Sequence, residues 1–207
     1  MLAYELLMFG GSFLGETVGK SSLISYIKYL RNKFKNSLEP TNSYSCFSMI
    51  MTYINNKHVR FLFFDISMNK NSIEKIGHFI KVSTFYAFLY DPFSKRTFDK
   101  MKEYVDICQN ILHNCKRFQE FPKIIVATKK DLSMTHYKEV STEEVIQYAN
   151  EIGAHFLETS IITGEGIDQL IPLLYEEELV RKGISSYGIF LKPKKEKEKE
   201  KKKNKCA

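Results

Sequence analysis

The tripeptide Gly19-Lys20-Ser21 combines three residue types that together bind phosphate. Glycine lets the backbone approach a phosphate group closely, lysine reaches the outer phosphates, and a serine hydroxyl can ligate Mg²⁺. Before it lies the apolar segment Leu2–Phe9, and after it Ser21–Lys33 carries apolar residues at helical spacing. Phosphate-binding loops of this type lie between a strand and a helix. The sequence therefore predicts a phosphate-binding loop here, with Lys20 holding the phosphates.

The spacing of this loop departs from the usual GxxxxGKS pattern, which requires a glycine where the chain has Leu14. A loop one residue shorter would start at Gly15, and a loop four residues longer would start at Gly10, where the strand ends. The longer loop keeps a glycine at the strand end, and we favour it. The next residue of the helix, Ser22, is included in the predicted site.

The remaining pattern predicts an α/β fold. Two apolar segments, 45–54 and 58–65, are separated by a short polar turn and predict an antiparallel pair. Strands and helices then alternate at 84–90, 98–113, 123–128, 142–152, 154–158 and 166–182. This pattern predicts a mostly parallel six-stranded sheet with one antiparallel edge strand and helices on both faces. Ligands of such sheets bind at the carboxyl ends of the strands.

The basic charge is concentrated in one segment. The chain has a formal net charge of +7, and residues 192–205 hold nine lysines against three glutamates, a net charge of +6. A segment of lysine and glutamate without apolar residues cannot offset its ordering entropy. We therefore predict one folded domain over residues 1–191 and a disordered tail over 192–207. No basic-aromatic module accompanies the charge, so nucleic acid is not an expected partner.

Apolar run length and cysteine spacing also exclude some classes of protein. No apolar run approaches the roughly 20 residues that span a bilayer, so a cytoplasmic protein is expected. The four cysteines form neither a CxxC pair nor a cluster at zinc-ligand spacing. We expect reduced, structural thiols.

Further motifs follow the phosphate loop in a characteristic order: Glu39-Pro40-Thr41, Asp65 after an apolar run, Thr128-Lys129-Lys130-Asp131, and Glu158-Thr159-Ser160-Ile161. In order and spacing, these motifs resemble those of the Ras superfamily of small GTPases over about residues 1–183, with Rab and Ras proteins most similar. The resemblance implies a P-loop NTPase fold and a monomer that binds GTP or GDP with Mg²⁺. It also implies effector and regulatory proteins as partners, through segments that switch with the nucleotide.

By this resemblance, Ser21, Thr41 and Asp65 form the Mg²⁺ shell, Thr41 joining it when the third phosphate is present. An aspartate at the end of an apolar strand can reach the ion through water. Phe34 occupies the place where the family stacks an aromatic ring near the guanine.

In the family, this aspartate is followed by a glycine and a glutamine at fixed positions. This chain has other residues at both of those positions. Met68 replaces the glycine whose N–H senses the third phosphate, and Asn69 replaces the glutamine that orients the attacking water. Asn69 is the catalytic candidate, and its shorter side chain predicts weak hydrolysis.

The base-reading motifs are better preserved. Lys129 and Asp131 match the family's Asn-Lys-x-Asp sequence, in which the lysine stem packs along the ring and the aspartate accepts from guanine N1 and N2; Thr128 replaces the asparagine. Ser160 and Ile161 match the loop whose backbone N–H meets guanine O6. A carboxylate suits two donors on guanine and not adenine, so GTP is expected over ATP.

The lysine-rich segment next to Cys206 indicates an anionic membrane surface, so a peripheral location on a cytoplasmic membrane face is expected. A lipid on Cys206 would supply a second signal. The sequence Lys205-Cys206-Ala207 is neither a CaaX box nor a paired-cysteine motif, which leaves lipidation open.

Together these features predict a guanine-nucleotide switch in vesicle traffic or signalling, with slow GTP hydrolysis. The alternative is a pseudo-GTPase scaffold that is nucleotide-locked or nucleotide-free, which Met68, Asn69 and the irregular phosphate loop favour. An ATP-using P-loop enzyme is disfavoured by Asp131.

Overall fold

The computed structural model describes residues 2–10, 17–29, 44–52, 58–66, 73–113 and 120–181. The predicted domain boundary near Lys192 lies outside these residues. None of the helices in this part of the chain has the length and apolar character needed to cross a bilayer.

A six-stranded sheet forms the centre of the molecule, in the order β2-β3-β1-β4-β5-β6. Its strands are β1 (Leu2–Gly10), β2 (Tyr44–Thr52), β3 (His58–Ile66), β4 (Phe85–Tyr90), β5 (Lys123–Ala127) and β6 (His155–Glu158). The edge strand β2 is antiparallel to β3, and all other neighbouring pairs are parallel. The predicted mostly parallel sheet with one antiparallel edge strand is confirmed.

In the described ranges, five α-helices accompany the strands: α1 (Lys20–Tyr29), α2 (Ile73–Val82), α3 (Lys95–His113), α4 (Thr142–Ile152) and α5 (Ile167–Arg181). A short 3-10 helix, Lys130–Met134, lies between β5 and α4. No sequence pattern predicted α2. Gly77 in its centre has low helix propensity, but Ile80 is completely buried, so packing against the sheet stabilises this helix.

The sheet has a hydrophobic core on each face, and β4 contributes to both. Phe85, Ala87 and Leu89 pack with residues of α1 and α5, whereas Tyr86, Phe88 and Tyr90 pack with residues of α2, α3 and α4. Successive residues of a strand point to opposite faces, so burial of all six shows a central strand covered on both sides. Cys108 belongs to the second core, where burial raises the pKa of its thiol, as expected of a structural cysteine.

The parallel strands end at one edge of the sheet. Tyr90, Ala127 and Glu158, the last residues of β4, β5 and β6, are direct register partners. Strand β1 lies between β3 and β4, so the connections after β1 and β3 leave towards opposite sides. This is the topological switch point at which open sheets bind ligands.

Candidate functional site

The junction before α1 has the conformation expected of a phosphate-binding loop. Gly19 adopts a φ of +76°, and its carbonyl accepts from the Leu23 N–H at 2.8 Å, which begins the helix. Val18 is buried in the core and anchors the loop from the other side. Lys20 and Ser21 therefore lie in the first helical turn, where backbone N–H groups and the helix dipole favour an anion.

The rest of the predicted phosphate and metal site is described in part. Strand β1 ends at Gly10, where the favoured longer loop would start, and Ser22 lies beside Ser21 on α1. The backbone of Asp65 lies near the end of β3, opposite Met8 of β1. Several residues on which the predictions rest lie outside the described residues: Leu14, Gly15, Phe34, Glu39, Pro40, Thr41, Met68, Asn69 and Cys206.

Backbone contacts tie the segment after β5 to both neighbouring strands. The N–H and the hydroxyl of Thr128 both donate to the Tyr90 carbonyl, at 3.0 and 3.1 Å. The Lys130 N–H donates to the Thr159 carbonyl at 3.0 Å. Between them, Lys129 adopts a left-handed conformation with a φ of 59°, which costs about 1–2 kcal/mol for a residue with a side chain. Strain of this kind persists where the surroundings determine the backbone.

The side chain of Lys129 is held by an acidic residue that sequence reasoning missed. Its ammonium lies 2.6 Å from Oδ2 of Asp91, the first residue after β4. Oδ1 of the same carboxylate accepts from the Phe93 N–H at 3.0 Å. A charged residue directly after a buried strand, at the ligand-binding edge of a parallel sheet, is the signal that would have identified it.

Asp131 is positioned by Ser160 of the other predicted motif. The Ser160 hydroxyl donates to Oδ1 of Asp131 at 2.5 Å and accepts from the N–H groups of Ile162 and Thr163 at 3.1 and 3.2 Å. Ser160 is completely buried, so water does not compete for these hydrogen bonds. Among the described residues, Oδ2 of Asp131 has no hydrogen-bond partner, which leaves an acceptor for a ligand.

Ile161 supplies the complementary group. Its side chain packs against the core formed with α1 and α5, so its bulk is accommodated there. Within the described part of the chain, its N–H has no acceptor. The site thus presents a carboxylate acceptor from one segment and a backbone donor from the other.

Ion pairs connect these two segments on their outer side. Lys130 contacts Glu165 at 2.5 Å and Glu158 at 3.8 Å, and Lys138 contacts Glu158 at 2.7 Å. The hydrogen bond to Glu165 raises the pKa of Lys130, against the opposing effect of desolvation. Such partly exposed pairs stabilise little individually, but they hold the 3-10 helix beside the loop after β6.

Close packing joins the loop after β6 to α1. A Cβ atom added to Gly164 would lie 2.5 Å from the hydroxyl of Tyr26 on α1, so the loop approaches this helix at a glycine. Tyr26 therefore connects α1 with the segment that carries Ser160 and Ile161. Gly19, Lys20, Ser21 and Ser22 lie together at the start of α1, and Thr128, Lys129, Asp131, Ser160 and Ile161 lie in the adjoining segments after β5 and β6.

The glycine that starts α5 provides a test of this packing. Gly166 has a φ of +76°, and a Cβ atom there would overlap the carbonyl oxygen of Glu158. Gly166→Ala should lower the free energy of unfolding by about 1–2 kcal/mol for the left-handed backbone, plus about 1–3 kcal/mol for the overlap. Gly153→Ala is the matched control, because Gly153 has a φ of +64° and open space around it. Equal losses for both variants in urea denaturation would contradict the packing described.

Comparison with known proteins agrees with this geometry. The Ras family model matches residues 9–179. The chain is 29% identical over 159 residues to the Ras-related and estrogen-regulated growth inhibitor of Bos taurus and to that of Homo sapiens, covering 77% of this chain and 73% of each relative. It is 26% identical over 155 residues to the Ras-related protein Rab-4 of Dictyostelium discoideum, covering 75% of this chain and 71% of that protein.

The order of the motifs, the sheet topology and the family match over most of the chain therefore agree. Ras-family proteins are GTP-binding switches that, in general, hydrolyse GTP. The chain belongs to the Ras family of small GTPases.

Proposed function

We propose that this protein is a guanine-nucleotide switch that binds GTP and GDP with Mg²⁺ and hydrolyses GTP slowly. The observation that carries the proposal is a pair of groups at the base-reading motifs that have no partner among the described residues. Oδ2 of Asp131 is an acceptor and the Ile161 N–H is a donor, and Ser160 links the two segments that carry them.

This pair complements guanine. The guanine edge presents two N–H donors, at N1 and N2, next to the O6 acceptor. A carboxylate facing the N1 position of adenine would meet an acceptor instead, which leaves two acceptors opposed. The phosphates would then lie at Lys20 and the N-terminus of α1, on the same edge of the sheet.

The residues proposed to hold Mg²⁺ have ligand atoms that suit this ion. Ser21, Thr41 and Asp65 offer only oxygen ligands, which is the donor set that this hard cation prefers. Ser21 lies in the first turn of α1. When bound, the ion would neutralise charge on the phosphate oxygens.

Slow hydrolysis is proposed from the replacement of the water-orienting glutamine by Asn69. Catalysis of phosphoryl transfer depends on positioning, so a side chain shorter by one methylene should place the water poorly. The same replacement, with Met68, supports the second candidate, a scaffold that holds nucleotide without turnover. The Ras-related and Rab relatives support a role in signalling or vesicle traffic for either candidate.

Residues 192–205 would place the switch on a membrane. Their net charge of +6 should attract an anionic lipid surface, each basic residue contributing about 1 kcal/mol near it. A cytoplasmic protein that binds a membrane face peripherally is the location we propose.

Nucleotide extraction and an aspartate substitution test the base site. Wild-type protein should release GDP or GTP on heating and bind GDP in titration calorimetry. Asp131→Asn should weaken GDP binding by about 100-fold or more and favour xanthine nucleotides, because two charge-assisted hydrogen bonds are lost and an amide suits the xanthine edge. Asp99→Asn, on the exposed side of α3, should bind like wild type. A wild-type protein without guanine-nucleotide affinity would overturn the proposal.

Single-turnover hydrolysis distinguishes a slow enzyme from a scaffold. Asn69→Gln should raise the rate of GTP cleavage by about tenfold or more, since it restores the reach of the water-orienting amide. Asn110→Gln makes the same chemical change at an exposed position of α3 and should leave the rate unchanged. If wild type binds GTP tightly and neither it nor Asn69→Gln cleaves GTP, the scaffold function is favoured.

Vesicle sedimentation tests membrane attachment. Non-lipidated protein should bind phosphatidylserine vesicles in 50 mM salt and dissociate from them at high salt. It should not bind phosphatidylcholine vesicles. The triple variant Lys201→Glu, Lys202→Glu, Lys203→Glu brings the segment to zero net charge and should abolish sedimentation. Equal binding by the variant would show that this segment is not the attachment site.

A further inference from the structure

We propose that Asp91 is a positioning residue of the base site, which acts by anchoring the ammonium of Lys129 before nucleotide binds. The inference rests on the proposed function, since it assigns a role to a residue next to the base-reading motif. No motif of the sequence analysis includes Asp91.

The carboxylate of Asp91 is fixed independently of Lys129. Its Oδ1 accepts from the Phe93 N–H, and the Asp91 backbone N–H donates to the Thr97 hydroxyl at 2.9 Å. Thr97 is buried, and the side chain of Asp91 is only 11% exposed. Oδ2 therefore lies at a defined position at the end of β4.

Lys129 is held at both ends. Its backbone, in the left-handed conformation, is flanked by residues bonded to β4 and to the loop after β6. Its ammonium is bound to Asp91, and among the described residues this is its only carboxylate partner within 4.0 Å. The aliphatic stem therefore extends from the end of β5 to the end of β4, along the edge of the sheet that carries the base-reading groups.

Anchoring the ammonium matters because a lysine side chain has high rotamer entropy. A stem already ordered in the free protein loses less entropy when a ring packs against it. A second ion pair provides a comparison, because Lys95 of α3 and Glu144 of α4 also form a contact between distant parts of the chain, and neither belongs to a base-reading motif.

Asp91→Asn is the primary test. Asparagine retains the acceptor for Phe93 but presents an amide to the ammonium, so the side chain of Lys129 loses its anchor. GDP affinity, measured by calorimetry, should fall roughly 3- to 10-fold, the cost of ordering one such side chain. Glu144→Gln removes the second ion pair and should bind GDP within about twofold of wild type.

A double-mutant cycle separates positioning from general structural support. Lys129→Met keeps an unbranched stem without the ammonium, and it should weaken GDP binding by a similar factor. In that background, Asp91→Asn should change affinity by less than about twofold, because the anchored group is gone. Equal losses from Asp91→Asn in both backgrounds would show a structural role and overturn the proposal.

Two further outcomes are decisive. A wild-type affinity for Asp91→Asn would overturn this inference while leaving guanine binding intact, whereas a wild-type protein without GDP affinity would overturn the proposed function itself. If thermal melting shows Asp91→Asn to be unfolded, Lys129→Met decides alone. Unchanged GDP affinity in that variant would contradict the anchoring role.

Discussion

The parallel register of β4, β5 and β6 is the constraint on which the candidate site depends. Because Tyr90, Ala127 and Glu158 are partners across the sheet, the residues that follow them leave the sheet side by side. A slip of one residue would exchange the faces of a strand and expose half of its buried side chains. The hydrophobic cores on both faces therefore determine where Asp91, Lys129 and Ser160 lie.

The site combines local strain with extensive hydrogen bonding. Lys129 has a left-handed backbone, but both of its neighbours donate backbone N–H groups to adjacent segments. Ser160 is buried and uses its hydroxyl as donor and acceptor at once. Since the strained residue is surrounded by satisfied contacts, its conformation is fixed before a ligand arrives. Such preorganisation reduces the entropy lost on binding.

Binding and turnover depend on different parts of this chain. The proposed base and phosphate contacts arise from residues attached directly to strand ends or to the first turn of α1. The departures from the family pattern, Met68 and Asn69, lie in the segment between β3 and α2. Replacements at Met68 and Asn69 can therefore change the rate of hydrolysis while nucleotide affinity is kept, because affinity and water positioning rely on separate residues.

Much of the fold was predictable from sequence because it follows from local periodicity. Apolar runs and helical spacing predicted the six strands and four of the five α-helices found in the described residues, and motif spacing predicted residues that meet at the strand ends. The missed helix, α2, has a central glycine, and its stability comes from burial of Ile80 rather than from propensity.

The amino-acid sequence by itself determined the class of fold, and it predicted roles for Lys20, Lys129 and Asp131 because the order and spacing of their motifs together match those of the family. Only the tertiary structure decided which partners these residues have. Asp91 and Lys129 are 38 positions apart, and no local pattern relates them. Their contact exists because two parallel strands, buried on both faces, end at the same edge of the sheet. Side-chain pairing across strand ends is a consequence of register, and register is fixed only when the whole core is packed.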